Sequence, residues 1–571
     1  MSEVLKIVSS QYKHLAGRNC ALIDQHVLTN VSMLKNEPYS FQVFFRASLP
    51  FIYPVSIGLD TVLPAKAWRV DHVAVQNPSA NESRKGFESQ EPGLFPDLLT
   101  PRPAKPEILS ADLPQRWTPN FYYEKDTDAT LNAAPDFFQS VWFTVNPDSR
   151  VLKAGTYPVK VVMTSLKTNE VVAEETIMLE IIDEALPTQD FFYTNWFHVD
   201  CLCDLHGVTP YSNAFYKVFD QYIRNMTAHR QNTLLLPAFT PILDTVIGKE
   251  RMNVQLVEIQ RVSGGWRFGF EKMRRFVRHA KKCGIQFFEH CHLFSQWGAQ
   301  HTPNIYDKEG KRIFGFDTDA ASQEYTAFIR AYLTAFFAFA KEENIEKSLI
   351  FHISDEPTAE QLGSYRSAHE QVADLLEDTP VCDAMSDCVF YEEGLVDQPI
   401  LHLESIENFN PEQCPSIWLY YTGGEQETSN RKISNTAAAT RVIGLQMYKY
   451  KAMGFLHWAY NFYYDFLSMG FADPRAYTGG YQLFPGIAYL AYPISQRGHS
   501  AVVPSIREKL MCEAMDDLRA LKLLETKIGR DAALALCEAQ LGEITPFTIP
   551  EGEQLRELRE LINAKIAERI R

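Results

Sequence analysis

Two adjacent carboxylates, Asp355 and Glu356, close the run IFHISDEP at Ile350 to Pro357. A carboxylate pair can divide acid and base work when its surroundings push the two pKa values apart. One acid stays protonated and gives its proton to a leaving oxygen. The other stays ionised and steadies developing positive charge. That division of labour suits cleavage of a glycosidic bond. Neighbouring strand residues point to opposite faces, so both acids reach one pocket only if the strand has already ended at Asp355 or Glu356. Pro357 has no N–H for a ladder and predicts such an end. A second reading stands beside this one. S-D-E-P ahead of TAEQLGSYRSAHEQVADLL also fits a helix start, with the acids as caps and first-turn charges.

The ends of other apolar runs carry further candidates. They are Asn195, Trp196 and His198; Glu289, His290 and His292; Trp418, Tyr420 and Tyr421; and His457, Trp458, Tyr460, Asn461 and Tyr464. Rings of this kind stack on the C–H faces of sugars, and the amides and imidazoles bond hydroxyls. Each taken singly also suits a packed core. Glu289, His290 and His292 are metal-ligating types, but their spacing matches no standard set and glycoside cleavage needs no metal. The expectation is therefore no metal and no cofactor.

The elements that must hold these residues follow from rhythm. Residues 187 to 504 alternate short apolar runs with helical patterns, the signature of βα units. Eight runs read as strands: 192–199, 233–239, 285–291, 348–355, 380–386, 400–405, 416–422 and 454–462. Segments such as SQEYTAFIRAYLTAFFAFAKEE, with apolar residues at i, i+3 and i+4, read as the intervening helices. This predicts an α/β fold, a TIM-type (β/α)8 barrel, whose acids would sit at the C-terminal ends of its strands. VQLVEIQRVSGGWRF reads as a hairpin at the barrel mouth. Residues 1–186 alternate apolar and polar, as in YSFQVFFRA and YPVKVVMTS, and predict an N-terminal β-sandwich. Within them, the Pro-rich stretch 75–135 reads as a long loop. Residues 505–571 predict C-terminal helices with no chemistry of their own.

Totals exclude several function classes. With 571 residues the chain has room for a barrel and at least one more domain. A net charge of −16 argues against a nucleic-acid partner, which would need clustered Lys and Arg. The start, MSEVLKIVSSQYKHLAG, has no long apolar core, and no stretch is long and apolar enough to span a membrane. The expectation is a cytoplasmic protein with no membrane partner; a homo-oligomer stays open. Ten scattered cysteines with no paired CxxC argue against zinc and a disulfide framework.

Five stretches carry a family likeness. They are IFHISDEP, HLFSQWGAQHTPNIY (292–306), the long block SNRKISNTAAATRVIGLQMYKYKAMGFLHWAYNFYYDF (429–466), YQLFPGIAYLAYP (481–493) and SIREKLMCEAMDDLRALKLLE (505–525). Through them the chain resembles glycoside hydrolase family 123 and the domain of unknown function that shares its catalytic fold. The resemblance implies a retaining exo-glycosidase that removes β-linked N-acetylgalactosamine from a glycan or glycoconjugate. The substrate's own 2-acetamido oxygen would be the nucleophile. Carried onto this chain, Glu356 would be the acid and then the base, and Asp355 would hold the acetamido N–H and stabilise an oxazoline-like intermediate. Asn195, His198, His290, Trp418, Tyr420, Trp458, Tyr460, Asn461 and Tyr464 are the expected substrate contacts. A barrel glycosidase for another sugar and a non-catalytic carbohydrate-binding protein are the alternatives.

Overall fold

The protein is described from a computed structural model covering residues 4–15, 18, 20–78, 85–101, 128–135, 137–241, 250–409, 414–423, 427–468, 470–476, 484–494 and 501–568. Its N-terminal part holds two five-stranded sheets, mostly antiparallel. One runs Leu5–Ser9, Tyr39–Phe45, Gln139–Val145, Ala65–Val75, Gly93–Pro101. The other runs Asn30–Leu34, Val171–Ile182, Gly155–Ser165, Tyr53–Asp60, Asp128–Ala133. Alternation writes the packing. In Tyr53–Asp60 every second side chain is buried, and the inward residues of both sheets, among them Phe41, Val43 and Phe143 against Val55, Val161 and Leu179, form one apolar cluster.

The Pro-rich stretch is not simply a loop. Gly93–Pro101 pairs with Ala65–Val75, and Asp128–Ala133 pairs with Tyr53–Asp60. Pro96 and Pro101 are tolerated because Gly93–Pro101 is an edge strand, where a missing donor costs no ladder bond. Residues 102–127 of that stretch lie outside the described residues.

The following region is α/β with parallel sheets. Among the described residues its eight parallel strands are Phe192–Asn195, Thr233–Leu236, Phe287–His290, Leu349–Phe351, Ala384–Met385, Ile400–His402, Trp418–Tyr420 and Gly454–His457. The second, third and fourth pair in that order as one sheet. The other five form a second sheet in the order first, eighth, seventh, sixth, fifth. Both seams between these sheets are bridged by backbone bonds. At one, Phe351 N donates to Pro380 O (3.0 Å) and Cys382 N to Phe351 O (2.9 Å). At the other, Asn232 N donates to Tyr193 O (3.2 Å), while the Asn232 side chain accepts from Tyr193 N (2.9 Å).

Much of the aromatic content is core. The helix Gln323–Glu343 starts at a Ser322 cap and ends at Asn344 in the left-handed region. It buries Tyr325, Phe328, Tyr332, Phe336 and Phe339 at helical spacing. Each such ring is worth about 2–3 kcal/mol of burial. The Glu258–Val262 and Gly265–Gly269 hairpin lies over this helix through Trp266 and Phe268, which meet Phe328 edge-on.

Three helices close the chain: Ile506–Ile528, Arg530–Leu541 and Gln554–Glu568. The first crosses Ile443–Lys449 so closely that a Cβ at Gly444 would stand 2.1 Å from the carbonyl oxygen of Ala514. It also anchors the N-terminal sheets, because buried Arg507 pairs with buried Asp97 of the edge strand at 3.0 Å. All ten cysteines are free thiols, most of them buried. Among the described residues no helix is long and apolar enough to cross a membrane.

Candidate active site

The fourth parallel strand stops at Phe351, and the chain then turns to bring both acids to one wall. The turn is pinned from two sides. Ile353 N and Ser354 N donate to the Asp383 carboxylate (3.1 Å), and Glu356 N donates to Ala384 O (3.1 Å). Ser354 Oγ donates to Ser295 O (2.7 Å), and Trp297 N donates to Asp355 O (2.8 Å). Glu356 sits at φ +43°, in the left-handed region. A non-glycine residue there costs about 1–3 kcal/mol and persists only where its surroundings over-determine it. The helix that follows draws its cap from elsewhere: Gln361 Oε1 accepts from Thr358 N (2.9 Å) and Asp387 from Ala359 N (3.0 Å).

Asp355 and Glu356 are half-buried and share a cavity of about 190 Å³ with Trp196, Gln296, Trp297, Ala384, Tyr420, Thr422, Leu456, Trp458 and Leu467. They are the only carboxylates among these lining residues. Tyr420 Oη donates to Glu356 Oε1 at 2.7 Å. Trp297 leaves half its surface open beside them, an unusual exposure for an indole. Burial first, then the charge of Glu356, hold Asp355 well above the usual carboxylate range.

Below this wall lies a buried chain of charged groups. Glu289 accepts from Trp196 Nε1 (2.9 Å) and from the Thr194 hydroxyl. His352 Nε2 stands 3.1 Å from Glu289 Oε2, and its Nδ1 stands 3.3 Å from Asp383 Oδ1. Asp383 also accepts from the Tyr365 hydroxyl. Burial alone would depress His352, but its bonds and charge contacts with Asp383 and Glu289 outweigh it and push the imidazole up to about 9. His292, His352 and Asp383 offer atoms within 4.8 Å of one another. Asp383 already accepts from two backbone N–H groups and Tyr365, whereas Nδ1 of His292 and Nδ1 of His352 make no hydrogen bond.

The expected substrate contacts divide sharply. Tyr420 and Trp458 line the cavity with the acids. Asn195 is buried, accepting from Arg431 and donating to Gln231 Oε1 (2.9 Å). His198 and Asn461 form a clip beneath Trp458: Asn461 Oδ1 accepts from His198 N (2.8 Å), and His198 Nε2 stands 3.0 Å from Trp458 O. Burial and Arg251 lower that imidazole to about 4. His290 points away, 2.7 Å from Tyr332 Oη and stacked on Phe351. Trp418 is wholly buried and stacks on Phe192 at 4.6 Å. Tyr460 Oη donates to Glu508 Oε1 (2.9 Å), whose carboxyl burial raises to about 8. Tyr464 donates to Asp204. Sequence reasoning did not single out Gln296 and Trp297, although Q-W-G in an otherwise polar loop was the available signal. A second hollow, of about 550 Å³ between His301, Asp317, Asp319 and Ser367, contains none of the cavity residues named above.

The family described as Glycoside hydrolase 123, catalytic domain, matches residues 196–524, more than half of the chain. No curated protein matches. Among solved structures, a family 123 glycoside hydrolase from Clostridium perfringens, described in terms of glycolipid glycan hydrolysis, superposes with a TM-score of 0.71 at 13% identity. It covers 99% of this chain and 97% of that one. A likeness at that identity concerns the fold. A Ruminococcus gnavus β-glucuronidase has a TM-score of 0.30 at 8% identity, covering 84% of this chain and 66% of that one. A Bacteroides uniformis β-glucuronidase has a TM-score of 0.27 at 10% identity, covering 86% and 48%.

Proposed function

The chain belongs to glycoside hydrolase family 123, and from its cavity we propose a retaining exo-β-N-acetylgalactosaminidase that works by substrate-assisted catalysis. The observation that carries this reading is the placement of acid groups. Among the described residues, both carboxylates on the cavity come from adjacent residues of one turn, and Trp196, Tyr420, Leu456 and Trp458 offer no third. A protein nucleophile in a retaining glycosidase needs a carboxylate about 5–5.5 Å across the sugar from the acid, and an inverting enzyme needs one farther off. Supplying the nucleophile from the substrate's acetamido oxygen removes that need.

In the proposed cycle the pair carries one proton before substrate arrives, held on Asp355. The acetamido N–H binds Asp355 as a carboxylate, and the proton passes to Glu356. Glu356 protonates the glycosidic oxygen as the acetamido oxygen attacks C1. It then takes a proton from the water that opens the oxazoline-like intermediate. Tyr420 orients Glu356 for both steps. Trp458, Trp196 and Trp297 would form the ring-stacking walls. At about 190 Å³ the cavity is smaller than the roughly 300–1,000 Å³ of drug-sized pockets, which suits one terminal sugar residue. Glycolipid glycans, the substrates named for the Clostridium perfringens enzyme, are the proposed substrate class here.

The proposed architecture is an N-terminal β-sandwich over 1–186, a (β/α)8 barrel over 187–504 and a helical segment over 505–571. Backbone bonds at both seams between the parallel sheets support closure. The test of function is hydrolysis of aryl β-glycosides of N-acetylgalactosamine, N-acetylglucosamine and galactose by wild type, Asp355→Asn and Glu356→Gln. The expected result is turnover of the N-acetylgalactosaminide, lost in Asp355→Asn and retained in part by Glu356→Gln, since an activated leaving group needs little acid help. Turnover of the plain galactoside would overturn the mechanism, because it has no acetamido group to attack.

A further inference from the structure

His352 is wholly buried between two carboxylates that come from different strands and loops. Glu289 lies in register with Ile350, two residues before it, and Asp383 lies just before the fifth strand. A neutral imidazole has one N–H, so one of its nitrogens would turn a lone pair toward a carboxylate. Only the doubly protonated ring turns an N–H toward each neighbour, with a hydrogen bond at Nε2 to Glu289 and an ion-pair contact at Nδ1 to Asp383 that makes no hydrogen bond. Other groups around it are no substitute for that proton. His292 stacks on it at 4.9 Å and is held far below its usual pKa by burial, then by His352. His290 is likewise neutral, pushed down to about 3 by burial. Tyr365 donates to Asp383 and stays protonated.

Each carboxylate of this chain grips a piece of the cavity. Glu289 fixes the Trp196 indole, a wall residue. Asp383 holds the N–H groups of Ile353 and Ser354, the two residues before Asp355. Asp383 by itself would add a negative charge next to Asp355 and oppose its ionisation, whereas His352 acts in the opposite sense. We propose that His352, as an imidazolium bridging Glu289 and Asp383, is a positioning residue that fixes the Asp355–Glu356 turn and supplies the positive charge that lets Asp355 ionise against bound substrate.

The role assigned to Asp355 rests on the proposed function, whereas the charge of His352 and its effect on Asp355 can be read without turnover. The experiment is NMR on protein labelled at histidine ring nitrogens and aspartate carboxyl carbons, with His352 and Asp355 assigned through His352→Gln and Asp355→Asn. His352 should carry two ring protons at pH 7.5 and titrate above pH 8. In His352→Gln the Asp355 midpoint should rise by about one pH unit, and the alkaline limb of kcat/KM should move the same way with KM little changed. Should His352→Gln fail to fold, Glu289→Gln serves: it removes one carboxylate, so the His352 midpoint should fall. A neutral His352 at pH 7.5, or an Asp355 midpoint that ignores loss of the imidazole, would overturn the proposal. So would stoichiometric zinc binding to wild type that His352→Gln abolishes. If these shifts appear while no N-acetylgalactosaminide is cleaved, the functional reading fails and the charge chain stands.

Discussion

The Tyr420 hydroxyl donates a hydrogen bond to Glu356 Oε1 at 2.7 Å, across 64 residues of chain and from a different parallel strand. The bond holds one oxygen of an acid that lines the same cavity. A hydrogen bond to a charged group is worth about 1.5–3 kcal/mol. Tyr420→Phe should therefore lower kcat/KM about 10- to 100-fold, more for a poor leaving group than for an activated aryl group. Steady-state kinetics on the two substrate types checks this. An equal loss on both would reduce Tyr420 to a packing role.

The acid pair also sets a pH profile. Asp355 must be ionised to receive the acetamido N–H, and burial with the Glu356 charge raises its pKa. The free pair must keep its one proton, which sits on Asp355, so activity is lost as pH rises through that raised value, and the alkaline limb of kcat/KM reports Asp355. Glu356→Gln removes the neighbouring charge. Measured on an activated aryl glycoside, which needs no acid, the variant should keep only an acidic limb, set by Asp355 and lying below the wild-type alkaline limb. Coincidence of the two would mean that burial alone sets Asp355.

Stability should carry the mark of His352. Its pKa is raised from the ordinary 6.5 to about 9, so the stabilisation is complete below pH 6.5 and lost as pH rises through 9. The upper bound is of the order of 3 kcal/mol. Between pH 6.5 and 9.5 the thermal midpoint of wild type should fall further than that of His352→Gln. Other buried groups that titrate in this window, Lys13 and Lys509 at about 8 among them, are common to both proteins and cancel. Equal falls would contradict a charged His352.

Periodicity made the eight parallel strands and the long helices legible, because burial on a face leaves a repeating apolar pattern. The edge strand Gly93–Pro101 was hidden by its prolines, which break the pattern without breaking an edge. The site was legible at Asp355 and Glu356 and thinner around them. A strand-end position gives height but not face. His290 follows Glu289, so it points to the opposite side, into Tyr332 and Phe336. Depth misleads in the same way. Trp418 shares a face with Tyr420 yet sits two residues deeper, on Phe192 and against Gly454, where a Cβ would stand 2.4 Å from the indole. Trp297 was missed because it stands in a loop of left-handed residues, Trp297 to Ala299, that no periodicity announces.

Trp418 and Trp458 should accordingly separate in kinetics. Trp458→Ala removes a cavity wall and should raise KM several-fold with stability nearly kept. Trp418→Ala removes a core ring and should cost about 3–5 kcal/mol of stability, with KM of the surviving folded enzyme unchanged. Denaturation midpoints alongside KM decide it. A KM effect at Trp418 would return that residue to the site.

The last test concerns how the N-terminal sheets are tied to the catalytic region. Asp97 and Arg507 are both wholly buried, and Asp97 also accepts from Tyr492 Oη (2.5 Å). Arg507 Nη1 donates to the carbonyls of Arg431, Gly486 and Tyr489 at 2.6–3.0 Å. Removing one partner of such a pair strands the other charge and typically costs 3–5 kcal/mol. Asp97→Asn should lose about that much, with kcat at 25 °C unchanged because neither residue lines the cavity. Asp97→Asn with Arg507→Met removes both charges and should recover part of the loss. Recovery must stay partial, because three backbone carbonyls lose their donor. Full recovery would show that those carbonyls find other partners, and a fall in kcat would show that the tie also positions the acids.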